Sequence, residues 1–173
     1  RELYTTIDIA LYKYSMEKRL KKQERLFSAI LHSINDAIIS TDTNFSINFM
    51  NPAAEVLLGS KESTARGKKV DDLFELPLER FPGGLLTLIK DDDKPFFLNE
   101  VKLRNTLGQD FLVDGSVQRI HEQANSTEGF VVTLRDVSEL KRLSDTINYQ
   151  ASHDILTGLS NREEFSYKLG EIL

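Results

Sequence analysis

Few residues in this chain could do chemistry, and the most suggestive are the adjacent His153 and Asp154. A neighbouring His and Asp can supply two ligands of a phosphohydrolase metal centre, but one pair without further His and Asp ligands is not a metal site. The other histidines, His32 and His121, stand apart, and no spacing of Ser, His and Asp indicates a nucleophilic triad. The sequence therefore predicts no catalytic residue and no metal site.

Ligand binding without covalent chemistry is a separate question. Cysteine is absent, which excludes disulfides, thiolate metal sites and cysteinyl-flavin adducts. Asn99, Arg104 and Arg119 could bind a carboxylate if they turned inward, because the Arg guanidinium offers two parallel donors. The simpler interpretation is that they are solvated strand residues.

Net charge and hydropathy limit the classes of partner that the chain can bind. The 173 residues include 22 Lys and Arg against 27 Asp and Glu, a net charge of −5, which argues against nucleic acid as a partner. Apolar runs such as residues 85–89 are far shorter than the roughly 20 residues that span a bilayer. There is no recognisable signal peptide and no initial Met, so we expect a cytoplasmic segment cut from a longer protein.

The first element that could position functional residues is a long N-terminal helix. Residues 2–34 contain no Pro or Gly. Residues 13–25 hold six basic residues against two acidic ones, which predicts a solvated helix or short coiled coil and leaves a membrane or acidic partner open. Apolar residues recur at helical spacings at Leu3, Ile7, Ala10, Leu11, Tyr14, Leu20, Phe27, Leu31 and Ile34.

A β-rich region comes next. Asn51-Pro52 opens a short helix that Gly59 closes, and further short helices are predicted up to residue 91. The five predicted strands are 37–41, 46–50, 96–104, 110–121 and 129–135. On the fourth strand, one face carries Phe111, Val113, Val117 and Arg119 and should meet the core. Helices between residues 52 and 90 should cover this face in a two-layer α+β domain.

A second helix is predicted after the last strand. Asp136-Val137-Ser138-Glu139 has the form of a capping box, with an oxygen acceptor first and Glu three residues later. The residues Val137, Leu140, Ser144, Ile147 and Ala151 keep the spacing of a coiled-coil seam. Two exposed apolar helices flanking one domain predict a homodimer.

The order of these elements resembles the PAS sensory domain family. Residues 31–42 and 47–54 are similar to its N-terminal helix, first hairpin and first short helix, and 129–139 to its last strand and exit. The resemblance implies an α+β fold, a PAS-like five-stranded antiparallel sheet covered by short helices, with long N-terminal and C-terminal signalling helices.

The resemblance also bears on cofactors, since PAS domains hold haem, flavin, small ligands or nothing between sheet and helices. Haem needs an axial ligand, usually His, and the predicted helix 82–90 has none. Without Cys, a covalent flavin is excluded. The expected cofactor is none or an unknown small ligand.

Residues 152–162 resemble the start of a GGDEF domain, the diguanylate cyclase family that makes cyclic di-GMP. The residues that carry this motif are Asp154, Leu156, Thr157, Gly158, Leu159, Asn161 and Arg162. The cyclase reaction needs carboxylate-bound divalent cations, and the family's catalytic signature lies further downstream. The fragment is therefore not expected to be an enzyme. Residues 2–20 resemble, more weakly, the last helix of a response-regulator receiver domain.

These patterns divide the chain into an N-terminal coiled-coil linker (1–30), a PAS domain (31–136), a signalling helix (137–152) and the start of a GGDEF domain (153–173). The resemblance implies a module for signal transduction that senses or dimerises and relays a signal through its flanking helices to a GGDEF domain. Asp136, Val137, Ser138 and Glu139 are the expected relay residues. The alternative is a structural dimerisation spacer whose cavity is filled by its own side chains.

Overall fold

The computed structural model describes residues 2–77, 79–85, 94–121 and 127–153, together with Leu159 and Asn161. The predicted α+β fold is confirmed in these residues. In chain order the elements are α1 (Glu2–Ser33), β1 (Ala37–Asp42), β2 (Ile47–Met50), α2 (Pro52–Leu58), α3 (Glu62–Ala65), a 3₁₀ turn (Val70–Asp72), β3 (Phe74–Glu75), β4 (Phe96–Asn105), β5 (Asp110–His121), β6 (Thr127–Asp136) and α4 (Ser138–Ser152). Most of the predicted helix 82–90, from residue 86 onward, lies outside the described residues.

The sheet is antiparallel and has six strands in the order β2-β1-β6-β5-β4-β3. The sequence predicts five, and the sixth is β3, a strand of two residues that pairs Phe74 with Asn105 and Glu75 with Arg104. Two residues are too short for any alternation of apolar and polar positions to be visible. Only the approach of this segment to the edge of β4 makes it a strand.

The first and last strands of the domain are neighbours in the middle of the sheet. β1 and β6 pair from Ala37 with Leu134 to Asp42 with Gly129. Because these strands are antiparallel, the beginning of β1 lies beside the end of β6. The C-terminus of α1 and the N-terminus of α4 are therefore attached to the same edge of the domain.

The core lies between the sheet and the short helices. On β5, Val113 and Val117 are buried and Phe111 packs against the core, which confirms the predicted inner face. Leu57 and Leu58 of α2 cover it from the other side.

The residues that delimit α2 are the ones that the sequence singles out. Pro52 occupies its first turn, and Gly59 ends it in the left-handed region with φ 68°. A Cβ at Gly59 would lie 2.6 Å from Cγ of Leu107, so both the backbone angle and the close approach of the β4–β5 turn require glycine here.

The two long helices contribute little to this core. From Leu11 to Ile30 the residues of α1 are exposed, and α4 has no buried residue. Within the described ranges, no helix combines the length and hydropathy that crossing a bilayer requires. Both helices thus expose apolar side chains such as Phe27, 64% exposed, and Ile147, also 64% exposed.

Candidate functional site

The side chain of Asn51 joins three elements at the edge from which both long helices leave. It is fully buried, and its Oδ1 accepts hydrogen bonds from the backbone N–H of Ile38 and of Ala54, each at 2.9 Å. Its Nδ2 donates to the carbonyl oxygens of Asp36 at 2.9 Å and Leu31 at 3.2 Å. The amide caps α2 and at the same time holds the end of α1 against the start of β1. The sequence predicts only the cap.

An ion pair joins the same place to the last strand. Arg135, near the end of β6, donates from Nε and Nη2 to the two carboxylate oxygens of Asp36, at 2.8 and 2.7 Å. This two-pronged geometry is the favoured one for Arg and a carboxylate. The hydrogen bonds from Arg135 lower the pKa of Asp36, with burial opposing them in part. The α1–β1 connection is thereby tied to the strand that leads into α4.

This pKa shift predicts a pH dependence. An Asp in the unfolded chain titrates at about 3.9, and the folded pKa of Asp36 is lower, so its stabilisation is complete above the unfolded pKa and is lost as pH falls through the folded pKa. We expect Asp36→Asn to reduce the free energy of unfolding slightly at pH 7, and the difference from wild type to shrink toward zero as pH falls through the folded pKa of Asp36. Urea titrations at several pH values measure this.

Asp145→Asn is the matched control, because Asp145 is exposed on α4 and shows no ion pair among the described residues. We expect it to be nearly neutral at every pH. A loss in Asp36→Asn that persists unchanged at low pH would contradict the assigned role of the carboxylate.

The predicted relay residues lie at the N-terminus of α4, which is called its root below. Val137 is buried, and its N–H donates to the Leu112 carbonyl at 2.8 Å. The Ser138 hydroxyl accepts from the Leu112 N–H, also at 2.8 Å. The start of α4 is thus bonded to β5 through both backbone groups of Leu112. Glu139 is exposed.

The predicted capping box is wrong. The residue at the N-cap position of α4 is Val137, which has no capping side chain. The Asp136 carboxylate accepts from the N–H of Ser138, two residues on, at 2.9 Å, which is an Asx turn before the helix. The reason is that the backbone of Leu112 binds Val137 and Ser138, so the helix begins one residue later than the pattern indicates.

The matches to known proteins agree with this architecture. The family model described as the PAS fold matches residues 25–137, well over half of the chain. The chain belongs to the PAS family. It also superposes on the PAS domain of a Colwellia psychrerythraea protein with a TM-score of 0.56 at 20% identity, covering 69% of this chain and 98% of that one. At that identity the similarity shows the fold alone.

Two curated relatives have names that refer to cyclic di-GMP. The chain is 28% identical over 157 residues to the cyclic di-GMP phosphodiesterase PdeB of Shewanella oneidensis, covering 91% of this chain and 18% of that protein. It is 29% identical over 175 residues to the probable diguanylate cyclase DgcE of Escherichia coli, covering 100% of this chain and 16% of that protein. The chain therefore spans less than a fifth of either relative.

The GGDEF-like string comes directly after α4. Leu159 is exposed, and Asn161 donates from its backbone N–H to the Ser152 carbonyl at 2.9 Å and from its side-chain amide to the Ala151 carbonyl. Both carbonyls belong to the last residues of α4. The other motif residues, Asp154, Leu156, Thr157, Gly158 and Arg162, lie outside the described residues.

Two aromatic rings pack against each other in the core of the PAS domain. Phe45 and Phe130 stack there with ring centroids 4.4 Å apart and ring planes at 21°. Leu58, Leu98 and Leu103 are fully buried in the same core.

Of the three polar residues considered as ligand contacts, Arg119 is half-buried on β5, opposite Phe130 of β6, and the other two face solvent. Asn99 and Arg104 are exposed, and Arg104 binds both carboxylate oxygens of Asp110, at 2.7 and 2.9 Å. His32 and His121 are exposed as well. Among the described residues, no three His, Asp or Glu side chains converge as a metal site would require.

Proposed function

We propose that this PAS domain relays a signal from the segment before α1, through α1 and α4, to a C-terminal diguanylate cyclase (GGDEF) domain. The observation that carries the proposal is the attachment of both helices at the same end of the two central strands, β1 and β6. Asn51 and the Asp36–Arg135 pair fasten α1 at that end, and Leu112 fastens the root of α4. A change at the end of α1 can therefore reach α4 through strands β1 and β6, which are neighbours.

The direction of the relay is supported by the segment after α4. The GGDEF-like string begins where α4 ends, and the two curated relatives are named for the synthesis or breakdown of cyclic di-GMP. The domain itself catalyses nothing in this proposal, and it acts in the cytoplasm.

Homodimerisation is part of the same proposal. On α1, Leu20 and Phe27 are exposed and lie seven residues apart, and Leu140 and Ile147 repeat that spacing on α4. Apolar residues with this period pack against a second helix. Directly after α1, Ile34 lines a groove of about 420 Å³ together with Val56. A second copy would cover these surfaces and couple the two relays.

The alternative, a spacer that dimerises without sensing a ligand, is supported by the Phe45–Phe130 stack. Rings in this position leave less room for a small molecule between sheet and helices. In either version haem and covalent flavin have no part.

The seams provide the test. We expect Phe27→Glu on α1 and Ile147→Glu on α4 each to raise the dimer dissociation constant at least about tenfold, because a charge would be buried in an apolar interface. Sedimentation of the purified chain measures dimerisation, and cyclic di-GMP formation by the full-length protein measures the output, which should fall with it.

Lys22→Glu and Thr146→Glu are the matched controls, since both residues are exposed on the same helices but away from the seams. They should leave dimer and output close to wild type. A chain that stays monomeric at micromolar concentration, or Ile147→Glu protein with unchanged output, would overturn the proposal.

A further inference from the structure

Strand β4 contains an irregular residue opposite α4. Its register against β5 shifts between Leu98 and Val101, and Glu100 inside this bulge has φ 47°. A residue with a side chain rarely adopts the left-handed region unless its surroundings hold it there. Here the backbone N–H of Glu100 donates to the Asp114 carboxylate on β5 at 2.8 Å. The bulge is therefore strained and held by a neighbouring strand.

The side chain of Glu100 reaches the signalling helix. Both of its carboxylate oxygens lie 3.0 Å from Nζ of Lys141, in the first turn of α4, and Glu100 raises the pKa of Lys141. No residue of α4 is buried, so beyond its root the helix is held to the sheet by surface contacts such as this one. The pair is the point at which the bulge can influence the direction of α4.

The bulge also contacts the segment that contains Arg80 and Phe81. Nη1 of Arg80 approaches the carbonyl oxygen of Asn99, the residue before Glu100, at 3.5 Å. The guanidinium of Arg80 lies over the ring of Phe81, 5.7 Å from its centroid, and Phe81 is buried in the core. A movement of this segment would therefore act directly on the bulge through the contact between Arg80 and Asn99.

We propose that the Glu100 bulge is a latch that sets how α4 leaves the PAS domain. In the latched state Glu100 keeps its left-handed backbone and holds Lys141. In the released state Glu100 relaxes to extended backbone, the ion pair opens, and α4 pivots about Val137 and Ser138. This inference rests on the proposed relay and names the contact that regulates it.

The backbone strain and the ion pair of Glu100 have opposite effects on the free energy difference between the two states, as a switch requires. The strain at Glu100 favours release, whereas the ion pair favours the latched state. The side chains of Lys141 and Glu100 are 42% and 55% exposed, and ion pairs in such positions are weak. Because the two effects oppose each other, an upstream change that favours one of them can move the population from one state to the other.

The test measures the position of α4 directly. The chain has no Cys, so nitroxide labels can be attached to cysteines introduced at Thr146 on α4 and Gln118 on β5, both exposed. Labelled chain diluted in unlabelled chain gives the distance within one subunit by pulsed electron paramagnetic resonance. We expect Glu100→Gln or Lys141→Met to raise the ratio of released to latched distances roughly two- to fivefold.

The exchanged pair Glu100→Lys with Lys141→Glu should restore much of the wild-type distribution. Arg104→Met and Asp110→Asn are the controls, because they break an exposed ion pair on the same two strands that does not touch α4. An unchanged distribution in Glu100→Gln, or the same change in the control variants, would overturn the latch.

The latch and the relay fail in different measurements. A first outcome is that the distances change in Glu100→Gln while neither Glu100→Gln nor Ile147→Glu changes cyclic di-GMP formation by the full-length protein. That result would support the latch and contradict the relay. If Ile147→Glu changes cyclic di-GMP formation but Glu100→Gln leaves the label distances unchanged, the latch alone is contradicted.

Discussion

Replacing Asn51 with alanine should lower the free energy of unfolding by about 2 to 4 kcal/mol. The substitution removes the N-cap of α2, and it leaves the carbonyls of Leu31 and Asp36 and the N–H of Ile38 without the partner they have in the folded state. Buried polar groups that lose a partner keep their desolvation penalty, which makes this change costlier than the loss of a cap alone. Urea denaturation measures the difference.

Two further variants separate the roles of the amide. Asn48→Ala makes the same change on the exposed side of β2 and should alter stability by no more than about 0.5 kcal/mol. Asn51→Ser keeps an oxygen that can cap α2, but its single short hydroxyl cannot also donate to both carbonyls. Its cost should be intermediate, and hydrogen exchange in the last turn of α1 should still accelerate. A loss below about 1 kcal/mol in Asn51→Ala would contradict this account.

Replacing Phe130 with alanine should cost about 3 to 5 kcal/mol. The ring is 7% exposed and stacks on Phe45, so its removal loses burial and leaves a cavity in the core. Phe97→Ala on β4 is the control, because Phe97 is 62% exposed on the same sheet and its removal should have a much smaller effect. Thermal or urea unfolding gives both values.

The same variant tests whether the interior is self-filled. A dry apolar cavity made by truncation binds small apolar molecules. We expect benzene to stabilise the Phe130→Ala protein and to leave the wild type unaffected. Stabilisation of the wild type by benzene would mean that a cavity already exists beside the Phe45–Phe130 stack, and would favour a ligand-sensing domain over a spacer.

Local patterns predicted most elements because the interactions behind them act within a few residues. The helical spacing of apolar residues in 2–34, without Pro or Gly, predicted the long helix, and Asn51-Pro52 with Gly59 delimits α2 as predicted. Alternation along β5 identified its inner face. The same local reasoning missed β3, which forms only by pairing with β4, and placed the start of α4 one residue early because Leu112 binds its root.

The site was partly visible in the sequence. Val137 and Ser138 lie at the root of α4, as the exit pattern indicates, whereas the importance of Asp36, Arg135 and Glu100 had no local signal. Asp36 and Arg135 are 99 residues apart in the chain, and Glu100 and Lys141 are 41 apart. An Asp before a strand or a Glu within one is ordinary in any sequence.

The sequence by itself excluded thiol chemistry, because it has no cysteine. It also determined the helices, the long strands and the face of β5 that is buried. Only the tertiary structure decided that β1 lies beside β6, that Asn51 and Arg135 fasten α1 to the strand before α4, and that a bulge meets Lys141. The reason is physical. Propensity and alternation depend on neighbours along the chain, and many strand orders would bury the same faces, whereas each of these contacts exists only in the one order and register that the packed sheet adopts.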